Sequence, residues 1–258
     1  MSQATDQDKE KVLILVKALP HVGSARGESV CCAGVTEEGA WRRLFPVNFR
    51  RLPKEAKFER WQWVEYQWRW PTNDRRPESR HVQERTLRAG RRIKDSERAG
   101  FLVPLMDDGF QVAEENGKTL TLVRPIDPKF KAKRKPESVI TRERVKNEFG
   151  AYQGSLFDKD VVPLAPCPFE FRFSFSTRDG REHDMQCADW ETSTTFWRFE
   201  NLYGEAEALR QVELKFGEEY PERGMAFAVG THSLRPKQWL LVGVLRLNDE
   251  PQKGFSFT

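Results

Sequence analysis

Residues Phe58 to Trp70, FERWQWVEYQWRW, hold four of the eight tryptophans of the chain. Val64, Tyr66, Trp68 and Trp70 fall on one face of an alternating pattern, and Glu65, Gln67 and Arg69 on the other. That is the period of a β-strand. Trp61 and Trp63 take the second face, beside Arg69. Such a strand either buries both faces at the centre of a barrel or sandwich, or shows two indoles next to cations as a stacking platform for bases.

Strand patterns surround it. Lys11–Lys17 (KVLILVK), then ESVCCAGVT, then AWRRLFPVNF precede it with short turns between them. Four strands in about seventy residues predict a small closed or curled sheet of the OB-, SH3- or PUA-like sort. Closure also hides strand edges that invite pairing with other chains. Residues 1–10 are polar and read as a flexible tail.

From Pro71 the composition turns arginine-rich. A helix is expected over Arg80–Ile93 with Ser79 as its cap, and a second short helix near Asp95. GFQVAEENGKTLTLVRP reads as a hairpin turning at Asn116-Gly117. KFKAKRK reads as a cationic linker, followed by a helix. In the last third, Phe169, Phe171, Phe173 and Phe175 alternate with polar residues, a strand signal. Residues 182–187 supply its partner, and Asp189 caps a helix through Phe199. A second helix, about 204–216, carries Ala208, Val212 and Phe216 on one face, and the apolar strands MAFAVG and QWLLVGVLRL follow. The expected class is α+β: a β-rich barrel-like domain with a basic helical insertion and linker over 11–150, and an α+β domain over 151–258, with the boundary between 147 and 165.

With Lys+Arg 43 against Asp+Glu 39, the formal charge is +4, so clustering of cations matters more than their sum. Arg42, Arg43, Arg50 and Arg51 lie in and after the third strand. Arg75, Arg76, Arg80, Arg88, Arg91 and Arg92 follow the Trp-rich strand, and Lys131, Lys133, Arg134 and Lys135 sit in the linker. Guanidinium forks suit phosphates, and arginine interleaved with aromatics such as Trp61 and Trp63 suits unstacked bases. The alternative is a solvated face whose charges pair locally with Asp74, Glu78, Glu84, Asp95 and Glu97. The leading expectation is a DNA- or RNA-binding protein of prokaryotic, cytoplasmic type. A protein–protein adaptor meeting an acidic partner is a further alternative.

Gln153-Gly154-Ser155-Leu156-Phe157 resembles the short peptide with which bacterial proteins dock on the replication sliding clamp. The resemblance implies an apolar pocket filled by Leu156 and Phe157, with Gln153 making polar contacts beside it. Gly154 stands where that pattern commonly has Leu. A role in DNA transactions or genome defence depends on this motif.

His183, Asp189 and Glu191, in REHDMQCADWET, are the catalytic candidates. Carboxylates at a strand-to-helix junction are able to hold Mg²⁺ in a metal-dependent nuclease. The competing role of Asp189 is a helix cap, and of Glu191 a dipole partner. Outside that alternative no cofactor or metal is expected. Cysteines 31, 32, 167 and 187 lack the paired spacing of structural zinc. The polar N-terminus predicts no signal peptide, no apolar run reaches membrane-spanning length, and P-loop, dinucleotide-binding and hydrolase-elbow motifs are absent from the sequence.

Overall fold

The computed structural model describes residues 9–23, 27–152, 161–232 and 235–249. Strands β1 (Lys9–Lys17), β3 (Gly27–Val35), β4 (Trp41–Val47), β5 (Gln62–Arg69) and β6 (Ser79–Val82) close a five-stranded barrel. Around the barrel the order is β1-β3-β4-β6-β5, with β5 returning to β1. Only the β4–β6 contact within the ring is parallel. Two short strands, β2 (His21–Gly23) and β7 (Arg88–Arg92), extend β3 and β5.

The two-sided apolarity of KVLILVK has a direct cause. Val12 and Ile14 fill the barrel with Leu44, Val64 and Tyr66. Leu13, Leu15, Ala33, Trp61 and Trp63 point outward and are sealed by a second sheet. That sheet has the order β13-β12-β8, built from β8 (Leu120–Val123), β12 (Met225–His232) and β13 (Arg235–Arg246). A third sheet, β11-β10-β9, comprises β9 (Ile126–Arg134), β10 (Phe169–Ser176) and β11 (Glu182–Gln186). Phe169, Phe171, Phe173 and Phe175 bury one face of β10. They meet Phe227 of β12 and the inward residues of α4 (Trp190–Tyr203) and α5 (Glu205–Glu213). The fold is α+β.

Several expectations are corrected. Residues 80–93 are not a helix: β6, a tight 3₁₀ turn at Glu84–Thr86 and β7 occupy them. Val82 and Leu87 bury in the barrel core, and β6 supplies the strand that joins β4 to β5. Burial and pairing override the helical propensity of a short arginine-rich segment. Ser79 caps nothing; its Oγ donates to Asp74 at 2.7 Å. The expected hairpin is a helix, α2 (Phe110–Glu115), whose buried Phe110 and Ala113 lie one turn apart. Gly117, at φ +68°, follows its end, and glycine serves left-handed helix ends as readily as hairpin turns. The cationic linker is strand β9, whose Lys129, Lys131 and Lys133 alternate with Phe130 and Ala132 on a sheet edge. Lysines there discourage edge-to-edge pairing.

Between these lie α1 (Arg98–Leu102) and α3 (Glu137–Tyr152). Because β8 and β9 already pair with β12 and β10, the C-terminal sheets begin near residue 120, ahead of the expected boundary at 147–165. No helix among the described residues is long and apolar enough to cross a membrane.

Candidate nucleic-acid interface

Trp61 and Trp63 are only 5% and 4% exposed, so neither indole forms a stacking platform. Both pack against the β13-β12-β8 sheet. Most of the candidate cations are committed to structure. Arg43 donates to Glu78 at 2.8 Å and to the Thr119 carbonyl, under the C-terminal sheet. Arg42 and Arg80 both bind Glu10, at 2.8 and 2.9 Å. Arg50 pairs with Glu28, Arg76 with Asp74, Arg91 with Glu97 and Arg92 with Glu59. Arg134 pairs with Glu205 and Lys135 with Glu143, and Arg51 donates to the Ala151 carbonyl. Lys131 reaches the Ser174 hydroxyl at 3.2 Å and helps hold the nearby Asp184 carboxyl down.

What remains is a strip on the barrel wall that the C-terminal sheet does not cover. Trp70, at the end of β5, is 64% exposed. Arg69, which precedes it in the chain, and Arg75, Arg85 and Arg88 are exposed cations on β5, the β5–β6 loop, the turn after β6 and β7. None of the four has a carboxylate within ion-pair distance among the described residues, and the same holds for Lys133 on the distant β9 edge. Arg85 borders three adjoining depressions of about 680, 570 and 680 Å³. Arg88 borders the first and third of these. Phe45 of β4 is 40% exposed. It stands in register with His81 of β6, which in turn faces Arg69 of β5.

The elements below hold these side chains rigidly. The turn that carries Arg85 is tied to β5 by Gln83 N–H donating to Gln67 O and by Gln67 N–H donating to Thr86 Oγ1, both at 2.9 Å. From the other side Asn48 donates to Glu84. Under Trp70, Arg80 places its guanidinium 3.9 Å from the Trp68 ring and 4.9 Å from the Trp70 ring. Glu10 fixes Arg80 and also accepts from the Tyr66 hydroxyl at 2.9 Å. Burial would raise the Glu10 carboxyl, but Arg80 and Arg42 outweigh that and hold it below its usual value. A charged network therefore props an exposed indole at the barrel rim.

The catalytic candidates do not assemble. His183 of β11 stacks on Phe110 at 4.2 Å and meets the Thr177 hydroxyl at 2.9 Å, with neither candidate carboxylate among its partners. Asp189 caps α4 by accepting from Glu191 N–H. Its two oxygens also take Arg60 at 2.6 and 2.8 Å and Val244 N–H at 2.9 Å. Burial pushes that carboxyl up, yet four donated bonds, two from a guanidinium, serve the ionised form. Glu191 pairs with Lys17 and Arg60 at 3.3 Å. Among the described residues, no group of three His, Cys, Asp or Glu side chains is arranged to hold a metal ion. The clamp-like Gln153, Leu156 and Phe157 lie outside the described residues.

Sequence reasoning reached Arg75 and Arg88 as phosphate contacts and set Arg69 beside the indoles, but it did not single out Trp70 as the exposed ring. The signal available was position: Trp70 ends the strand, where an inward-pointing side chain runs past the barrel. Residues 8–103 match the family model described as "Domain of unknown function (DUF8758)", and residues 108–256 match "Domain of unknown function (DUF8757)". The first spans the barrel and the second the C-terminal sheets. No curated protein matches the chain.

Proposed function

The chain belongs to the DUF8757 family, and we propose that it binds nucleic acid in a single-stranded or locally unpaired form, along the barrel rim. The observation that carries this reading is one exposed tryptophan, Trp70, on a barrel whose strands β5 to β7 and their connections also carry four exposed arginines, Arg69, Arg75, Arg85 and Arg88, without carboxylate partners among the described residues. Bases stack on aromatic faces, and adjacent phosphates take guanidinium donors.

Of the three barrel sorts expected, the OB-like one fits best. With the short β2 set aside, the strands run 1-2-3-5-4, and the third and fifth are parallel. OB-like barrels bind strands of nucleic acid on the face of their second and third strands and on the loops around it. Here Arg43 and Arg76 of that region are tied to Thr119 and Thr231 of the C-terminal part. Trp70 and Arg75, in the same β5–β6 loop as Arg76, stay exposed.

The test is binding of a fluorescently labelled single strand at increasing salt. Neutralising four phosphates gives a slope of log K against log salt of about −3 for a single strand. The double variant Arg85→Glu/Arg88→Glu reverses two exposed charges without touching the core, and it should weaken binding at least tenfold. Trp70→Ala should weaken a normal strand while leaving an abasic strand of equal length unaffected. A flat salt response, or unchanged affinity in the charge-reversed protein, overturns the proposal and favours an acidic protein partner.

A further inference from the structure

A second charged site lies at the other end of β5, between the barrel and the C-terminal part. We infer that this interdomain cleft binds a small phosphorylated molecule through its diphosphate or phosphate group, independently of the rim. The cleft has a volume of about 470 Å³. That is the range of small-molecule sites and too little for a duplex.

Three observations support a ligand there. The first is strain. Trp61 lines the cleft at φ +70°, a left-handed conformation that costs a bulky residue about 1–3 kcal/mol. Two backbone bonds impose it: Trp61 N–H donates to Ile14 O and Ile93 N–H donates to Trp61 O, both at 2.8 Å. Such outliers gather at ligand sites. The second is an orphaned buried donor. Arg98, only 3% exposed, lies 4.4 Å over the Trp61 ring, and its Nε has no hydrogen-bond partner. The third is charge balance: Lys17, Arg60, Arg92, Arg98, Arg198 and Arg246 line the cleft against Glu59, Asp95 and Glu191. Arg198 of α4 projects into the cleft with no carboxylate partner among the described residues. Arg246 and Arg92 border the same space, each with one acid, Glu219 and Glu59.

The floor of the cleft is built for display. A π-helical turn at Leu214–Glu219 follows α5 and leads into Tyr220, which lines the cleft and carries Lys215 5.9 Å from its ring. Turns of this kind are uncommon and recur at functional positions. Burial lowers the Lys215 ammonium, with Arg246 and Arg198 adding to it against Glu219 and Glu191. Burial likewise lowers Arg98, with Arg92 and Arg246 adding to it against Asp95. An incoming phosphate would offset the repulsion on Arg98 and give its unpartnered Nε an acceptor. Thr194 and Thr195 add hydroxyls at the mouth.

The experiment titrates inorganic pyrophosphate into the full chain by calorimetry, against sulfate and acetate at matched ionic strength. Saturable binding that raises the unfolding midpoint is expected for pyrophosphate. Arg198→Glu, an exposed change that leaves the fold intact, should weaken it at least about tenfold. Arg85→Glu/Arg88→Glu should leave it unchanged, which separates this site from the rim. No saturable binding, equal binding in Arg198→Glu, or loss of binding only in the rim variant would each overturn the inference.

Discussion

Replacing Asp189 with alanine tests how the two halves are held together. Asp189 and Arg60 lie 129 residues apart and are 1% and 6% exposed, joined by a two-pronged ion pair. Arg60 also donates to Val244 O at 2.6 Å, and Val244 N–H returns to Asp189 at 2.9 Å. Breaking a buried pair by removing one partner costs about 3–5 kcal/mol, because the remaining charge stays desolvated. Loss of the α4 cap adds about 1 kcal/mol. Glu191, 3.3 Å from Arg60 Nε, recovers part of this. Net of that recovery the expected loss is about 3–5 kcal/mol, or a fall in unfolding midpoint of roughly 10–20 °C. Urea unfolding read by tryptophan fluorescence measures it. In a double-mutant cycle with Arg60→Ala, the coupling should reach about 2–3 kcal/mol. A loss under about 1 kcal/mol, or strictly additive single variants, would refute the assignment of this pair as the interdomain bolt.

Two further outcomes follow from the same structure. A Cβ at Gly34 would overlap the Leu13 carbonyl across the β1–β3 pair, whereas one at Gly100 meets nothing. Gly34→Ala should therefore cost upwards of about 3 kcal/mol, and Gly100→Ala, in α1, should gain about 0.5–1 kcal/mol by stiffening the unfolded chain; equal midpoints for the two proteins would contradict this. Acid should destabilise the fold in two stages. Burial holds His183 below its usual value, so the neutral form is favoured and stability falls as pH drops below about 6.5. Asp74 is held down to about 2 because bonds from Arg76 and Ser79 outweigh its burial. Its contribution is complete above the unfolded value of about 4 and is lost as pH falls toward its folded value. An unfolding midpoint that stays flat from pH 7 to 3 would exclude both linkages, and Asp74→Asn should shallow the lower stage, which Glu10 and Glu78 share, while leaving the upper one unchanged.

What the sequence made legible is what local periodicity encodes. The four alternating phenylalanines of β10 face one core, so a period of two survives in the text. KVLILVK is apolar throughout because both its faces are covered. The missed elements owe their state to distant partners. β6 has four residues and β7 five, too few for a periodic signal, and each is a strand because β4 and β5 stand ready to pair with it. In β9 the alternation is present, but its outward positions are lysines and its inward side offers only one large apolar residue, Phe130. The pair Asn116-Gly117 fits a hairpin and a helix end equally, because both use a residue at positive φ.

The candidate site was less legible because a count of charges does not reveal which are already matched. Arg43 meets Glu78 at a separation of 35 residues, Arg80 meets Glu10 at 70 and Arg60 meets Asp189 at 129. These cations lie inside the barrel or under the C-terminal sheet, where an unpaired charge is costly, so a carboxylate accompanies each. On the open wall water solvates a guanidinium at little cost, and no built-in partner is required. Among the described residues Arg69, Arg75, Arg85 and Arg88 therefore lack paired acids for the same reason that they are reachable. Exposure of Trp70 is the part of the rim that solvation does not explain, since leaving an indole in water forgoes about 1.5–3 kcal/mol or more of burial. A stacked base would cover that ring while its phosphates neutralise the neighbouring arginines, so one ligand class accounts for both departures.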